Sequence, residues 1–297
     1  MRRFIVTLGT FGLIFIVFAE IFLRISGLAS DVMDRVINKD QVLVFQPGAD
    51  GYRTRGMRAE VNAHYHINEQ GWNSTLDYKK IDSLTIAIVG DSYIAGFWND
   101  VDSSAAAILQ HIINKDYPKV EVHSYGHPGA NFIDYKNLVA ILKQKGYQYI
   151  YIYINAKDFS AKIPSFTRKM KYEGRTGIRY WYRKSALLKY LNVNLGIKQM
   201  LKLKGNNKEK NQKAQKKGYE KASEPLKSFS QPRVTFFYED LFFDTLKTNN
   251  DLIKIQHTQK PKDHGFNGHW NVNGNRNAAK SIYHHWKNNF APSSSSN

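Results

Sequence analysis

The residue most open to chemistry is Ser92, within Leu84–Gly96 (LTIAIVGDSYIAG). An apolar run, Thr85–Val89, stops at Gly90-Asp91-Ser92. Such a run closed by glycine predicts a buried strand ending in a tight turn, since glycine accepts backbone that a bulkier residue would strain. A serine there sits at the carboxyl end of a strand, the edge where open α/β sheets place their ligands and reactive groups. Its hydroxyl becomes a nucleophile if a base lies beside it; the tripeptide also suits an ordinary serine turn. A second grouping is His64 and His66 in Glu60–Ile67 (EVNAHYHI), alternating with Val61, Ala63, Tyr65 and Ile67. That period puts both imidazoles on one face of a strand, as a metal pair or as a solvated polar face. No carboxylate is placed beside them, which favours the solvated face. The chain has no cysteine, excluding disulfides, thiolate metal sites and cysteine nucleophiles.

Strands and helices alternate after Ser92. Ser103–Asn114 predicts a helix capped by Ser103 or Ser104, and Val120–Val122 a short strand. Tyr125–Asn131 is a Gly/Pro loop, Asp134–Gln144 a helix ended by Gly146, and Tyr149–Ile154 (YIYIYI) a buried strand. Pro232–Tyr238 adds a strand. Gly274–Trp286 forms a last helix with Ala278, Ala279, Ile282 and Trp286 as its apolar stripe. This order implies right-handed crossovers and an α/β fold: a parallel sheet with helices on both faces. Before it, residues 31–82 predict a strand-rich prelude with turns at Pro47-Gly48 and Asn68–Gly71.

The N-terminus is directed to a membrane. Arg2 and Arg3 precede Phe4–Ala19, and the apolar run continues through Leu23 with only Glu20 interrupting it. About 20 such residues cross the hydrocarbon core as a helix. The flanking arginines favour a cytoplasmic N-terminus with the rest of the chain exported. The expectation is an uncleaved anchor over residues 1–28, spanning through residues 4–23, with Glu20 near the far interface. A cleaved signal peptide with Gly27-Leu28-Ala29 as its small-x-small site is the competing reading.

The net charge is +18 over 297 residues, and Lys162–Lys227 holds most of the excess, with 19 Lys or Arg against four Glu. This basic insertion suggests anionic lipid or an acidic glycan as partner, or equally a solvated insertion with no specific partner; an exported domain has little use for nucleic acid. Within it, Ser185–Lys204 predicts an amphipathic helix pair, and Gly205–Ser223 a mobile solvated linker. The Pro/Ser tail, residues 291–297, is expected to be disordered.

Four blocks resemble the SGNH (GDSL-like) hydrolase superfamily, in its membrane-anchored bacterial subgroup: Gly90-Asp91-Ser92, Pro128-Gly129-Ala130-Asn131, Asn155-Ala156-Lys157-Asp158, and Gly268-His269-Trp270-Asn271-x-x-Gly274. The likeness covers roughly residues 68–286 without the insertion. It implies a three-layer α/β/α sandwich over residues 29–290 and acyl transfer at an ester. Ser92 would attack the carbonyl and His269 would act as general base, then protonate the leaving alkoxide. The N–H groups of Ser92 and Gly129 would hold the oxyanion. Two positions depart from the family pattern. Asn267 stands where the orienting carboxylate is expected, leaving Asn267 itself, Asp263 or a backbone carbonyl to orient the ring. Lys157 and Asn155 replace the usual third-block residues, so either would serve the oxyanion. No metal or cofactor is implied. The resemblance points to an acylated cell-envelope glycan, with acetyl as the acyl group, handled on the periplasmic side of the inner membrane by a single-pass protein. The alternative is an impaired site on an envelope protein that binds glycan or lipid.

Overall fold

The computed structural model describes residues 1–31, 33–78, 84–161, 163–164, 184–194, 207–246, 248–256 and 260–292. Helix α1 (Arg2–Ile25) is long and apolar enough to cross a membrane, and of its residues only Leu23 is buried. Glu20 lies at its domain end. The carboxylate pairs with Arg24 at 2.6 Å and accepts the Ser185 hydroxyl at 2.8 Å. It also accepts the Ala186 and Leu187 N–H groups, both at 2.9 Å. Helix α1 thereby caps the one-turn helix Ala186–Lys189, supplying acceptors that a helix start needs.

The prelude folds as two antiparallel hairpins, β1 (Arg35–Ile37) with β2 (Leu43–Phe45) and β3 (Asp50–Arg55) with β4 (Val61–His66). In β4 the alternation holds: Val61, Ala63 and Tyr65 are buried. The two histidines on the other face meet a carboxylate that the sequence did not place. Asp50 on β3 contacts His64 Nε2 and His66 Nδ1, each at 2.9 Å. Among the described residues, no three His, Cys, Asp or Glu side chains are arranged to hold a metal ion.

The central sheet contains β5 (Thr85–Gly90), β6 (Glu121–Gly126), β7 (Tyr149–Tyr153), β8 (Val234–Tyr238) and β9 (Asp251–Lys254). Their order is β6-β5-β7-β8-β9, all parallel. Edge strand β9 was not expected; its four residues DLIK carry too little pattern. After β5 comes the single turn α2 (Ser92–Ala95), followed by α3 (Ala105–Asn114) and α4 (Phe132–Gln144). Helices α5 (Asn207–Ser228) and α6 (Val272–Asn289) complete the layers. Strand β5 shows the layering residue by residue. Ile86 and Ile88 share a buried cluster with Leu109 of α3 and Ile282 and Trp286 of α6. Ala87 and Val89 share another with Leu138 and Leu142 of α4 and Ala222 and Leu226 of α5. Burial of both sheet faces produces the near-continuous apolar strands seen in the sequence.

Helix α5 corrects one expectation. From Asn207 onward the supposed linker is helical. Gly218, Ala222 and Leu226 lie four residues apart on one face; Ala222 and Leu226 are fully buried. A Cβ at Gly218 would fall 1.7 Å from the Ala156 carbonyl oxygen, so this helix approaches the site through a residue without a side chain. Composition misleads here because a helix seated on small residues needs few large apolar ones. The expected helix pair over Ser185–Lys204 is one α turn followed by a π turn, Tyr190–Asn194; residues 195–204 lie outside the described residues. Most of the expected disordered tail, residues 293–297, lies outside them as well.

Another close approach sets the position of α2. A Cβ on Gly126, at the end of β6, would stand 2.0 Å from the Ala95 backbone nitrogen. Gly126→Ala is therefore expected to cost about 1–3 kcal/mol and to displace α2. Chemical unfolding measures the first effect. A lower rate of Ser92 labelling by a fluorophosphonate measures the second.

Candidate active site

Ser92 opens α2 where β5 ends. Asp91 caps the turn, its carboxylate accepting the Tyr93 N–H at 3.0 Å. Ser92 Oγ lies 2.9 Å from His269 Nε2, within the range for proton transfer. The two face a cavity of about 430 Å³ also lined by Asn155, Lys157, Glu239 and Asn267. It lies at the carboxyl ends of β5, β7 and β8. A larger hollow of about 670 Å³ beside α3 contains neither Ser92 nor His269.

The H-W-N-x-x-G run has a physical reason at each position. The Tyr93 hydroxyl donates to the Gly268 carbonyl at 2.9 Å, and the His269 carbonyl accepts the Gly265 N–H at 2.7 Å, fixing the loop on both sides of the imidazole. Trp270 is buried and packs edge-on to Tyr93 and Tyr153. Asn271 caps α6, accepting the N–H groups of Asn273 at 2.9 Å and Gly274 at 3.2 Å. A Cβ at Gly274 would meet the Asp263 carbonyl oxygen at 2.4 Å. Only glycine lets that strand of loop cross the helix start.

Among the described residues, no carboxylate orients His269, and its buried Nδ1 has no hydrogen-bond partner. Asn267 has a left-handed backbone (φ 58°, ψ 23°), and its backbone carbonyl favours the protonated ring while missing full hydrogen-bond alignment at Nδ1. The imidazole is instead stacked between two aromatic rings, Trp98 at 4.3 Å and Tyr93 at 5.0 Å between centroids. Asp263, the other expected orienting group, is buried, and its backbone carbonyl accepts the Asn271 N–H at 3.0 Å; its side chain makes no hydrogen bond to the His269 ring. Burial, and after it the positive charge of Arg53, hold the His269 pKa down to about 4. The ring is therefore neutral, in its base form, at pH 7.

The expected oxyanion donors are not equivalent. His127–Ala130 forms a turn with Gly129 at φ +74°, closed by Ala130 N–H to the His127 carbonyl at 2.9 Å; Gly129 is not among the residues lining the Ser92 cavity. Asn155 lines it, but its amide donates to Asp91 at 3.1 Å and to Asp158 at 3.3 Å. That leaves it as a clamp beneath the Ser92 turn. Burial pushes Asp91 up to about 6 despite these bonds. It raises Asp158 further, aided by the neighbouring Asp91 charge. Lys157 is exposed at the cavity and is the cation there among the described residues.

Sequence reasoning missed Glu239, directly after β8. It accepts from the Tyr153 hydroxyl, His264 Nε2 and Trp270 Nε1, each at 3.1 Å. Its place at the carboxyl end of a strand was the available signal. It also missed Trp98 and Tyr93, whose stacking on His269 has no signature in spacing.

No family model matches the sequence, and no curated protein matches it. Solved structures that resemble the chain include a psychrotrophic esterase from Pseudoalteromonas sp., 12% identical, covering 69% of this chain and 100% of that one at a TM-score of 0.35. An acetylxylan esterase from Geobacillus stearothermophilus is 14% identical, covering 69% and 95% at 0.33. A G-D-S-L family lipolytic protein from Desulfitobacterium hafniense is 20% identical; the match spans 30% of this chain and about half (49%) of that protein, at a TM-score of 0.22. Likeness at these scores carries no inference, and the α/β architecture rests on the sheet order and pairing above.

Two outcomes follow from the imidazole's surroundings. With p-nitrophenyl acetate, kcat/KM should be limited on the acid side by a group with a pKa of about 4, falling about tenfold per pH unit below it. Arg53→Gln removes a positive charge that disfavours imidazolium, so the acid limb should move to higher pH. In the second, Asn267→Gly keeps the left-handed backbone and should retain kcat/KM within about threefold, whereas Asn267→Val opposes it and should lose more than about tenfold. Equal losses in both would assign the role to the asparagine side chain.

Proposed function

We propose that this chain is an SGNH-type serine ester hydrolase or O-acyltransferase, working through an acyl-enzyme on an acylated cell-envelope glycan. The observation that supports it is the 2.9 Å contact between Ser92 Oγ and His269 Nε2 at the carboxyl edge of the parallel sheet. As Ser92 Oγ bonds to the ester carbonyl carbon, its proton passes to His269 Nε2. The resulting imidazolium lies between the faces of Trp98 and Tyr93, whose π electrons attract a cation, and the Asn267 carbonyl favours it further. The tetrahedral oxyanion is met by the Ser92 N–H and the Lys157 ammonium. Collapse breaks the ester C–O bond, and the leaving alkoxide takes the proton from His269. Water or a sugar hydroxyl then attacks the acyl-serine by the same route in reverse. Acetyl is the acyl group by the SGNH resemblance, and the apolar length of α1 together with the flanking Arg2 and Arg3 supports a domain on the outer side of the cytoplasmic membrane.

A serine-directed fluorophosphonate should label the full-length protein in detergent. Ser92→Ala should abolish labelling and reduce p-nitrophenyl acetate turnover by at least about 10³-fold, with His269→Ala similarly affected. Absence of label and turnover in the wild type would sink the reading.

A further inference from the structure

Beside the Ser92 site lies a cavity of about 350 Å³, between the prelude hairpins, the Pro128 turn and the one-turn helix at Lys189. Its wall carries Arg35, Arg53, Arg55 and Lys189 against a single carboxylate, Asp31. Asp31 is occupied, accepting the Tyr52 N–H at 2.6 Å, and Lys189 donates to the Ser30 carbonyl. Arg53 and Arg55 are different. Both are half-buried on β3. Their Nε atoms are buried without a hydrogen-bond partner. Neither guanidinium meets a carboxylate among the described residues. Arg53 has its cation over the Trp98 ring at 4.7 Å and over Phe97 at 5.7 Å, contacts that attract charge but satisfy none of the five N–H donors. Burying a guanidinium costs several kcal/mol unless an anion and hydrogen bonds offset it, and here two neighbouring cations add repulsion.

We infer that this cavity is a subsite for an anionic group, a sugar carboxylate or a phosphate, on the acyl-bearing polymer, held in the forks of Arg53 and Arg55. The inference rests on the ester-processing reading and narrows its substrate to acidic glycans. Position supports it. Arg53 stacks on one ring of the Trp98 indole, and His269 also stacks on that indole. The charged group and the ester thus belong to the same sugar or to adjacent ones. The site also couples to the reaction. An anion on Arg53 offsets the positive charge that most disfavours the imidazolium, and so favours the imidazolium that forms during acyl transfer. Arg53 acts through His269 and is a positioning residue.

The test uses the full-length protein in detergent, with calorimetric titration of three deacylated oligomers: an oligogalacturonate, a glycerol phosphate oligomer and a neutral xylo-oligomer. At least one anionic oligomer should bind about tenfold or more tighter than the neutral one, and Arg55→Gln should weaken it about tenfold, the value of a charge-assisted hydrogen bond. Preference for oligogalacturonate assigns a carboxylate, and preference for the phosphate oligomer assigns a phosphate. The basic insertion can also attract polyanions, so the variant, not the bare affinity, decides. A second readout covers the case where Arg55→Gln fails to fold: the bound oligomer should slow fluorophosphonate labelling of wild-type Ser92, and the neutral oligomer should not. Equal binding of all three oligomers, or unchanged binding by a folded Arg55→Gln, overturns the subsite. Normal labelling with no anion preference overturns the subsite alone. Anion binding without any labelling overturns the hydrolase reading and leaves the anion site standing.

Discussion

A hydroxyl and an imidazole 177 residues apart lie within hydrogen-bond distance because both ride on the carboxyl edge of one parallel sheet. That contact depends on two places where the backbone of one element touches that of another. Gly126 lets α2 settle onto the end of β6, which fixes where Ser92 begins its turn. Gly274 lets α6 start against the Asp263 carbonyl, which fixes where the preceding loop presents His269. The side chains between, Trp270 and Tyr153 above all, fill the space these approaches leave. Glu239 gathers their polar edges, accepting from the Tyr153 hydroxyl and the Trp270 N–H.

Among the described residues no carboxylate stands behind the His269 ring, which changes how the proposed reaction would work. An Asp at that position fixes the tautomer and stabilises the cation in one stroke. Here the tasks are divided. The ring is held flat by stacking and by the anchored loop, and cation stabilisation falls to two π faces and one carbonyl. Nearby positive charge opposes it. A resting base with a pKa of about 4 is neutral over the whole physiological range but a weak proton acceptor. The geometry is that of a base kept ready and made stronger only when something offsets its electrostatic surroundings.

Much of this was legible in the residues. Strand β5 and its serine turn, the α/β alternation, the alternating face of β4 and the apolar stripe of α6 all follow from periodicity and turn chemistry, which are local. What stayed hidden was non-local or carried by unusual residue types. Helix α5 packs through Gly218 and Ala222, which hydrophobic counting overlooks. Strand β9 is too short for a period to appear. The replacement for the missing orienting carboxylate is an aromatic stack contributed from α2 and the loop after it, and spacing cannot announce a stack. Asn155, a candidate oxyanion donor by its block, is already bonded to Asp91 and Asp158, a fact visible only when all three are placed.

The Glu20 joint bears on how the whole molecule behaves at a surface. A domain on a loose leash sweeps a large volume, and its substrate supply is set by leash length. Here the carboxylate at the end of α1 takes two backbone N–H groups and a hydroxyl of the domain, and Arg24 reaches the Lys184 carbonyl at 2.6 Å. The exit from the helix is therefore a hinge pinned shut. With α1 upright in a bilayer, the domain would be confined to a thin shell near the lipid headgroups, and molecules passing through that shell would be the ones it meets.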